Sequence, residues 1–208
     1  ERSDEQAVAS AQRFVKEAGC DAVKLERGGR SAERARAIVE AGIPVMGHVG
    51  LTPQTATQLG GYRSQGRTAE RALAVLREAL ELERAGCFAV VLEAIPRELT
   101  REIVARLTVP TIGIGAGPET DGQVLVFHDL LGIYGGHKPR FVKRYAELRD
   151  AMVAGVRRYC EEVRGRAYPG DEHCYEMAPD ELERLRSLLA EAEEAAATEE
   201  PFTGGPSL

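Results

Sequence analysis

The sequence predicts an α/β fold on a parallel sheet. Short Val-, Ile- and Leu-rich runs alternate with helical periodicities, glycines close the helices, and the apolar runs end in polar or glycine residues. Strands are predicted at residues 21–26, 43–49, 87–95, 110–115 and 124–127, and their polar ends are Lys24 with Glu26, His48, Glu93, Gly115 and His128-Asp129. An open doubly wound sheet concentrates its ligand groups at one switch point, whereas a (β/α)8 barrel collects them from many strand ends, so the pattern favours the barrel. Five strands do not close a barrel of eight. Either the sheet is open, or three strands that precede Glu1 are absent from this chain.

The helices follow from local signals. Ser3 with Gln6 three residues later reads as a capping box, and Ala7, Ala11, Phe14, Val15 and Ala18 then recur at helical spacing up to Gly19. Residues 31–41 form a second helix ending at Gly42, and 68–85 a third closed by Gly86. The fourth, 96–107, starts with Pro96 at its first turn. Residues 145–163 are helical, 166–175 are loop-like around Pro169-Gly170, and Leu182, Leu185, Leu188 and Leu189 mark an amphipathic helix from Asp180. The last segment, rich in Pro, Gly, Ser and Thr, reads as a disordered tail. The expected organisation is a five-strand barrel portion over 1–175, an added helix over 176–198 and the tail over 199–208.

Composition narrows the function classes. With 208 residues, 43% hydrophobic and 29% charged, the chain buries a real core. Lys and Arg number 27 against 33 Asp and Glu, a net charge of −6 that argues against a nucleic-acid groove or an anionic membrane surface and for a small metabolite. No apolar run approaches the roughly 20 residues of a membrane helix. Cys20, Cys87, Cys160 and Cys174 form no Cys-x-x-Cys pair, which points to a reducing cytoplasm.

Lys24 and Glu26 stand two apart on one strand and share a face, with Val23 and Leu25 on the other. They read either as a structural ion pair or as ligand-binding groups at the carboxyl end of a strand. His48 lies between Gly47 and the Val49-Gly50 exit, where glycine lets a ligand or a neighbouring backbone come close; a hydrogen-bonded structural role is the plainer alternative. Glu93 ends the apolar run 88–92, where desolvation would favour a general base over a solvated strand-end carboxylate. Gly113-Ile-Gly-Ala-Gly117 lacks the spacing of a dinucleotide fingerprint but has backbone to line an anionic ligand. No zinc-type ligand spacing is present, and a hard ion held by carboxylates, Glu26 among them, stays open.

These segments occur together in one order. Asp21-Ala-Val-Lys-Leu-Glu26 with Gly28-Gly29, Pro44 to Gln54, Gly60-Gly-Tyr62 with Gln65-Gly66, Val91-Leu-Glu93 with Pro96, Ile112 to Gly117, and Asp121 to Val126 with His128-Asp129 closely resemble the ketopantoate hydroxymethyltransferase (3-methyl-2-oxobutanoate hydroxymethyltransferase) family. The resemblance runs from about Ser3 to about His173. It implies a (β/α)8 TIM barrel of the phosphoenolpyruvate/pyruvate superfamily, a Mg2+ ion, and the first step of pantothenate and coenzyme A synthesis, with 2-oxoisovalerate and 5,10-methylenetetrahydrofolate as substrates. By the same resemblance Glu93 is the proton acceptor, Lys24 binds the 2-oxo acid, Glu26 is a magnesium ligand, His48 lines the substrate pocket, and the assembly is a decamer. The family's amino-terminal Gly-Asp-Ser segment and a further aspartate, which supply two more metal ligands, have no counterpart here. Arg27 separates Glu26 from the glycine pair, where the family runs directly from glutamate to glycine. The helix after Cys174 goes beyond the family's common end.

Two rival readings differ in class. A sister lyase or mutase of the same superfamily would use a loop cysteine, and no cysteine here has that setting. A non-catalytic binding or assembly module is the other, since a chain lacking three strands and two metal ligands is incomplete as a catalyst.

Overall fold

In a computed structural model of the chain, residues 3–26, 30–55, 61 and 63–198 are described. Helix α1 (Asp4–Ala18) starts where the sequence signals it: the Ser3 hydroxyl accepts the Gln6 N–H at 3.2 Å, which satisfies one of the unpaired amides of the first turn. Strand β1 (Val23–Lys24) follows, then α2 (Ser31–Glu40), β2 (Val45–Gly50), α3 (Ala69–Arg84) capped by Thr68, β3 (Ala89–Glu93), α4 (Arg97–Val104), β4 (Thr111–Ile114), β5 (Gly122–Gln123) and α5 (Phe127–Leu130). Helices α6 (Leu148–Arg164) and α7 (Pro179–Thr198) complete the described elements.

The five strands form one parallel sheet in the order β1-β2-β3-β4-β5. A doubly wound sheet reverses its strand order at a switch point, and this one never does. Right-handed crossovers between successive neighbours put the connecting helices α2, α3 and α4 on the same side. This is the winding of a (β/α)8 barrel, and the other side of the sheet is its lumen. The core forms on the helix side. Val45 and Val49 of β2 with Val90 and Leu92 of β3 meet Ala7, Ala11, Ala35, Ile38, Val75, Ala79, Leu82, Leu99 and Ile103, which recur at three- and four-residue spacing on α1 to α4. Burying each large aliphatic there stabilises the fold by about 1.5–3 kcal/mol.

Register sets the opposite face. Met46 pairs with Lys24 and Ala89, His48 with Val91, Gly50 with Glu93, and Glu93 with Ile114. Alternation therefore leaves Lys24, His48, Val91, Glu93, Ile112 and Ile114 on the lumen side. Val23 and Leu25 pack toward the core, as their spacing predicts.

One strand differs from its prediction. The run 124–127 does not pair along its length: β5 is Gly122–Gln123, the last rung is the Val124 N–H donating to the Gly113 carbonyl at 3.0 Å, and α5 begins at Phe127. The partner strand β4 holds only four residues, so rungs run out, and Val124, Val126 and Phe127 are left exposed. His128 and Asp129 consequently sit on an exposed helix rather than at a strand end. The predicted helix over 145–163 begins at Leu148, because the Tyr145 and Leu148 amides donate to the carbonyls of Leu130 and Leu131.

The chain divides into two compact units, Glu1–Ala151 and Met152–Leu208. In the second, Tyr168 meets the rings of Tyr159 and His173 at 5.6 and 5.0 Å between centroids. The leucines of α7 are exposed by about a third to a half. The tail predicted over 199–208 lies outside the described residues. Among the described residues, no helix is long and apolar enough to cross a membrane.

Two carboxylates fix the start of β4. Glu83 at the end of α3 accepts from the Thr108 N–H (2.6 Å), the Thr108 hydroxyl (2.9 Å) and the Val109 N–H (3.2 Å). Asp121 accepts from the Thr111 N–H and hydroxyl, both at 2.8 Å. The backbone bond from Thr108 chiefly pulls Glu83 below its ordinary carboxyl range, and the Thr111 amide does the same for Asp121. Since folding lowers both values, the stability they add is full above the ordinary carboxylate range and is lost as pH falls through the lowered values. Glu83→Gln with Asp121→Asn is expected to lower the melting temperature at pH 7, and the variant and parent curves are expected to converge in acid. Parallel curves from pH 7 to pH 2 would refute this.

Candidate functional site

Three strands deliver one continuous polar row to the lumen face. His48 is its centre, and its side chain is 3% exposed. Its Nε2 lies 2.9 Å from the Leu51 carbonyl, which only accepts, so Nε2 carries the proton. Its Nδ1 lies 3.1 Å from the Lys24 ammonium, which only donates, so Nδ1 presents its lone pair. Both contacts are met by one neutral tautomer, assigned from these partners.

From this centre the row extends both ways. Lys24 Nζ also donates to Glu26 Oε1 at 2.9 Å, and Glu26 Oε2 accepts the Gln54 N–H at 3.3 Å. On the other side Glu93 Oε2 lies 3.3 Å from His48 Nε2. The side chains of Glu26 and Glu93 are each 14% exposed, whereas that of Lys24 is 42% exposed, so the ammonium is the accessible charge between two mostly covered carboxylates. Burial pushes the Glu26 carboxyl up, but the hydrogen bond and charge of Lys24 and the Gln54 amide together bring it below its ordinary value.

The backbone around the row is specialised. Gly50 has φ +93, and a Cβ there would lie 2.2 Å from the Glu93 carbonyl oxygen, so only glycine lets the β2 exit pass this close to β3. Of the two predicted neighbours of His48's glycines, it is backbone that comes close, that of Glu93 at Gly50, while Leu82 packs against Gly47 on the core side. Immediately after Glu93, Ala94 adopts φ 48, a conformation that costs a non-glycine residue free energy. Its N–H donates to Ile114 O and its carbonyl accepts Gln65 N–H, which hold the turn in place.

The sequence-predicted residues Lys24, Glu26, His48 and Glu93 thus come together, while His128 and Asp129 do not join them. Gly115 stands at the end of β4 with the Phe141 ring against it. In the glycine loop, Ala116 O accepts from the Thr100 hydroxyl at 2.5 Å and Gly117 O from the Gln123 side-chain amide at 2.9 Å. Sequence reasoning missed the Leu51 carbonyl and the Gln54 amide, which are backbone groups that any residue supplies. Arg27, Gly28, Gly29, Gly60 and Tyr62 lie outside the described residues.

Among the described residues, no three His, Cys, Asp or Glu side chains converge as a metal cage. Magnesium takes one or two protein carboxylates and fills its octahedron with water and substrate oxygens, so the lumen-facing Glu26 carboxylate fits as one such ligand. Cys87 is buried, which pushes its thiol up to about 11 and leaves it a protonated core residue rather than a nucleophile.

A family model described as Ketopantoate hydroxymethyltransferase matches residues 1–171. The chain is 56% identical over 171 residues to a 3-methyl-2-oxobutanoate hydroxymethyltransferase of Thermus thermophilus, a match covering 82% of this chain and 66% of that protein. The enzyme of the same name from Heliobacterium modesticaldum is 52% identical over 88% of this chain and 66% of its own length. That of Anaeromyxobacter sp. strain K is 50% identical over 96% and 63%. The chain thus spans about two thirds of the length of these relatives. Among solved structures, a phosphonopyruvate hydrolase aligns with TM-score 0.44 at 12% identity, over 92% of this chain and 67% of that one.

The close approach at Gly50 is directly testable against Gly42, which has a similar φ of +84 but nothing within 4 Å of a built Cβ. Gly42→Ala is expected to cost about 1–2 kcal/mol for the left-handed backbone alone. Gly50→Ala is expected to cost about 1–3 kcal/mol more, because β2 and β3 must part. Equal losses in urea unfolding would show that the contact with Glu93 does not constrain the site.

Proposed function

We propose, because the chain belongs to the ketopantoate hydroxymethyltransferase family, that it transfers a hydroxymethyl group from 5,10-methylenetetrahydrofolate to 2-oxoisovalerate. The product is 2-dehydropantoate, the first intermediate of pantothenate and coenzyme A synthesis. The observation that carries this reading is the row Glu26–Lys24–His48–Glu93, which sets one accessible cation between two covered carboxylates on a single face.

The chemistry needs a base for the C3 proton, a cation for the substrate's carboxylate and a hard-oxygen ligand. Lys24, half exposed, binds the carboxylate end of the 2-oxo acid. Glu26 would hold magnesium, which when bound draws electron density from the 2-oxo carbonyl and acidifies C3. Glu93 removes the C3 proton onto its carboxylate. Water adds to the one-carbon unit and releases tetrahydrofolate, leaving formaldehyde whose oxygen came from that water; the C3 carbon nucleophile then adds to its carbonyl, and the resulting alkoxide takes up the proton held by Glu93. His48 lines the pocket and fixes the spacing of Lys24 and Glu93, because each of its nitrogens faces one of them. Ala94 and Gly50 hold the backbone that aims Glu93.

Family membership is what supports a cytoplasmic setting and self-association into a decamer. The family match ending at residue 171 supports dividing the chain into a barrel portion over 1–175, an added helix over 176–198 and a terminal tail.

Proton removal is measurable without folate, as deuterium entering C3 of 2-oxoisovalerate in heavy water with magnesium. A positioned base contributes roughly 10²- to 10⁴-fold, so Glu93→Gln is expected to slow exchange at least about a hundredfold with 2-oxoisovalerate binding little changed. Exchange at the parent rate would remove Glu93 from the base role. Glu26→Gln is expected to raise the magnesium concentration giving half-maximal exchange, since an amide is a poorer ligand for a hard cation. An unshifted magnesium titration would take Glu26 out of the ligand set.

A further inference from the structure

The chain carries a net charge of −6, yet residues 137–144, His-Lys-Pro-Arg-Phe-Val-Lys-Arg, contain four Lys or Arg and no acid. Such a run concentrates positive potential on an otherwise acidic protein. Its backbone is anchored: the Val142 N–H donates to Pro139 O at 3.0 Å, Val142 is 4% exposed, and the Phe141 ring lies against Gly115, whose φ of +65 and missing Cβ make the contact possible. Gly115 directly follows Ile114, the register partner of Glu93. The turn is therefore rooted one residue past the level of Glu93, on the face where the strands end.

The four cations are not alike. Arg144 is spent on structure, donating to Glu147 at 3.0 Å and to the Tyr134 carbonyl at 3.1 Å. Lys143 stacks over the Tyr145 ring, 4.6 Å from its centroid. Lys138 and Arg140 are exposed, and among the described residues neither has an acidic partner. Two exposed cations without a described acidic partner, on a turn whose Phe141 packs one residue past the level of Glu93, suit an anionic group remote from the reacting atoms.

Resting on the reaction proposed above, we propose that Lys138 and Arg140 dock the γ-linked glutamate tail of the folate co-substrate. The 2-oxo acid has a single carboxylate, which Lys24 takes. The folate carries its carboxylates far from the one-carbon unit, and each added γ-glutamyl residue brings one more. Binding energy gathered there positions the pterin end for reaction.

The test is calorimetry with monoglutamyl and tri-γ-glutamyl tetrahydrofolate at low salt. Two exposed ion pairs at the upper end of their usual range amount to roughly a thirtyfold preference for the longer tail. The preference is expected to fade near 1 M salt, where screening acts within about 3 Å. Lys138→Glu with Arg140→Glu is expected to abolish it, and Lys138→Arg with Arg140→Lys to keep it. Equal affinity for the two folates, or a preference that survives charge reversal, overturns the proposal. Tripolyphosphate displacing the longer folate as well as a tri-γ-glutamate peptide does would also overturn it, in favour of a general anion surface. Deuterium uptake into 2-oxoisovalerate by the unmodified protein uses no folate and separates the two claims: exchange without tail preference sinks this inference alone, and tail preference without exchange sinks the proposed reaction alone.

Discussion

His48 satisfies both ring nitrogens from β1 and from the exit of its own strand and faces Glu93 from β3, and the candidate site depends on these three strands arriving at one level. Lys24 comes from β1, the Leu51 carbonyl from the exit of β2, and Glu93 from the end of β3. A buried imidazole that lost either partner would leave an uncompensated polar atom, at a cost of about 1–3 kcal/mol. The pairing of Gly50 with Glu93 provides the level. A one-residue slip between β2 and β3 would turn every lumen-facing side chain of one strand toward the core.

The same register ties folding to chemistry. Val45, Val49, Val90 and Leu92 are anchored against α1 to α4, and the residues between them are thereby forced to the other face. Packing on the helix side therefore aims His48 and Glu93. The carboxylates of Glu83 and Asp121 extend this logic to β4, whose short ladder needs a fixed starting point before Ile114 can meet Glu93.

Much of this was legible in the sequence. Strand and helix order, the Ser3 cap, and the shared face of Lys24 and Glu26 follow from local periodicity and capping chemistry, and those rules operate within a few residues. The failure at β5 has the opposite origin. Val124, Val126 and Phe127 have strand character, but pairing is decided by how long the neighbouring strand is, and β4 ends four residues after it begins. Likewise no residue type announces that Leu51 lends a carbonyl to His48 or that Gln54 lends an amide to Glu26, since every residue carries both groups. The scatter of polar strand ends favours the barrel over an open sheet, and the unreversed strand order gives that reading a firmer basis.

Hydrogen-bond accounting bears on which group in the row accepts a proton. A histidine is the usual choice near neutral pH. Here the Nδ1 lone pair of His48 is directed at Lys24 and the Nε2 proton at a carbonyl, so the ring has no open lone pair to offer a substrate. Glu93 has only the Nε2–H group 3.3 Å from one oxygen among its described partners, which leaves acceptor capacity on its carboxylate, and its side chain is covered without being sealed. Glu26 differs again, because each of its oxygens already accepts a hydrogen bond and its charge is matched by Lys24. Of two carboxylates flanking one imidazole, the one paired with the ammonium suits a fixed negative ligand, and the one facing a neutral ring suits proton transfer. That asymmetry is what supports assigning the metal-holding role to Glu26 and the base to Glu93.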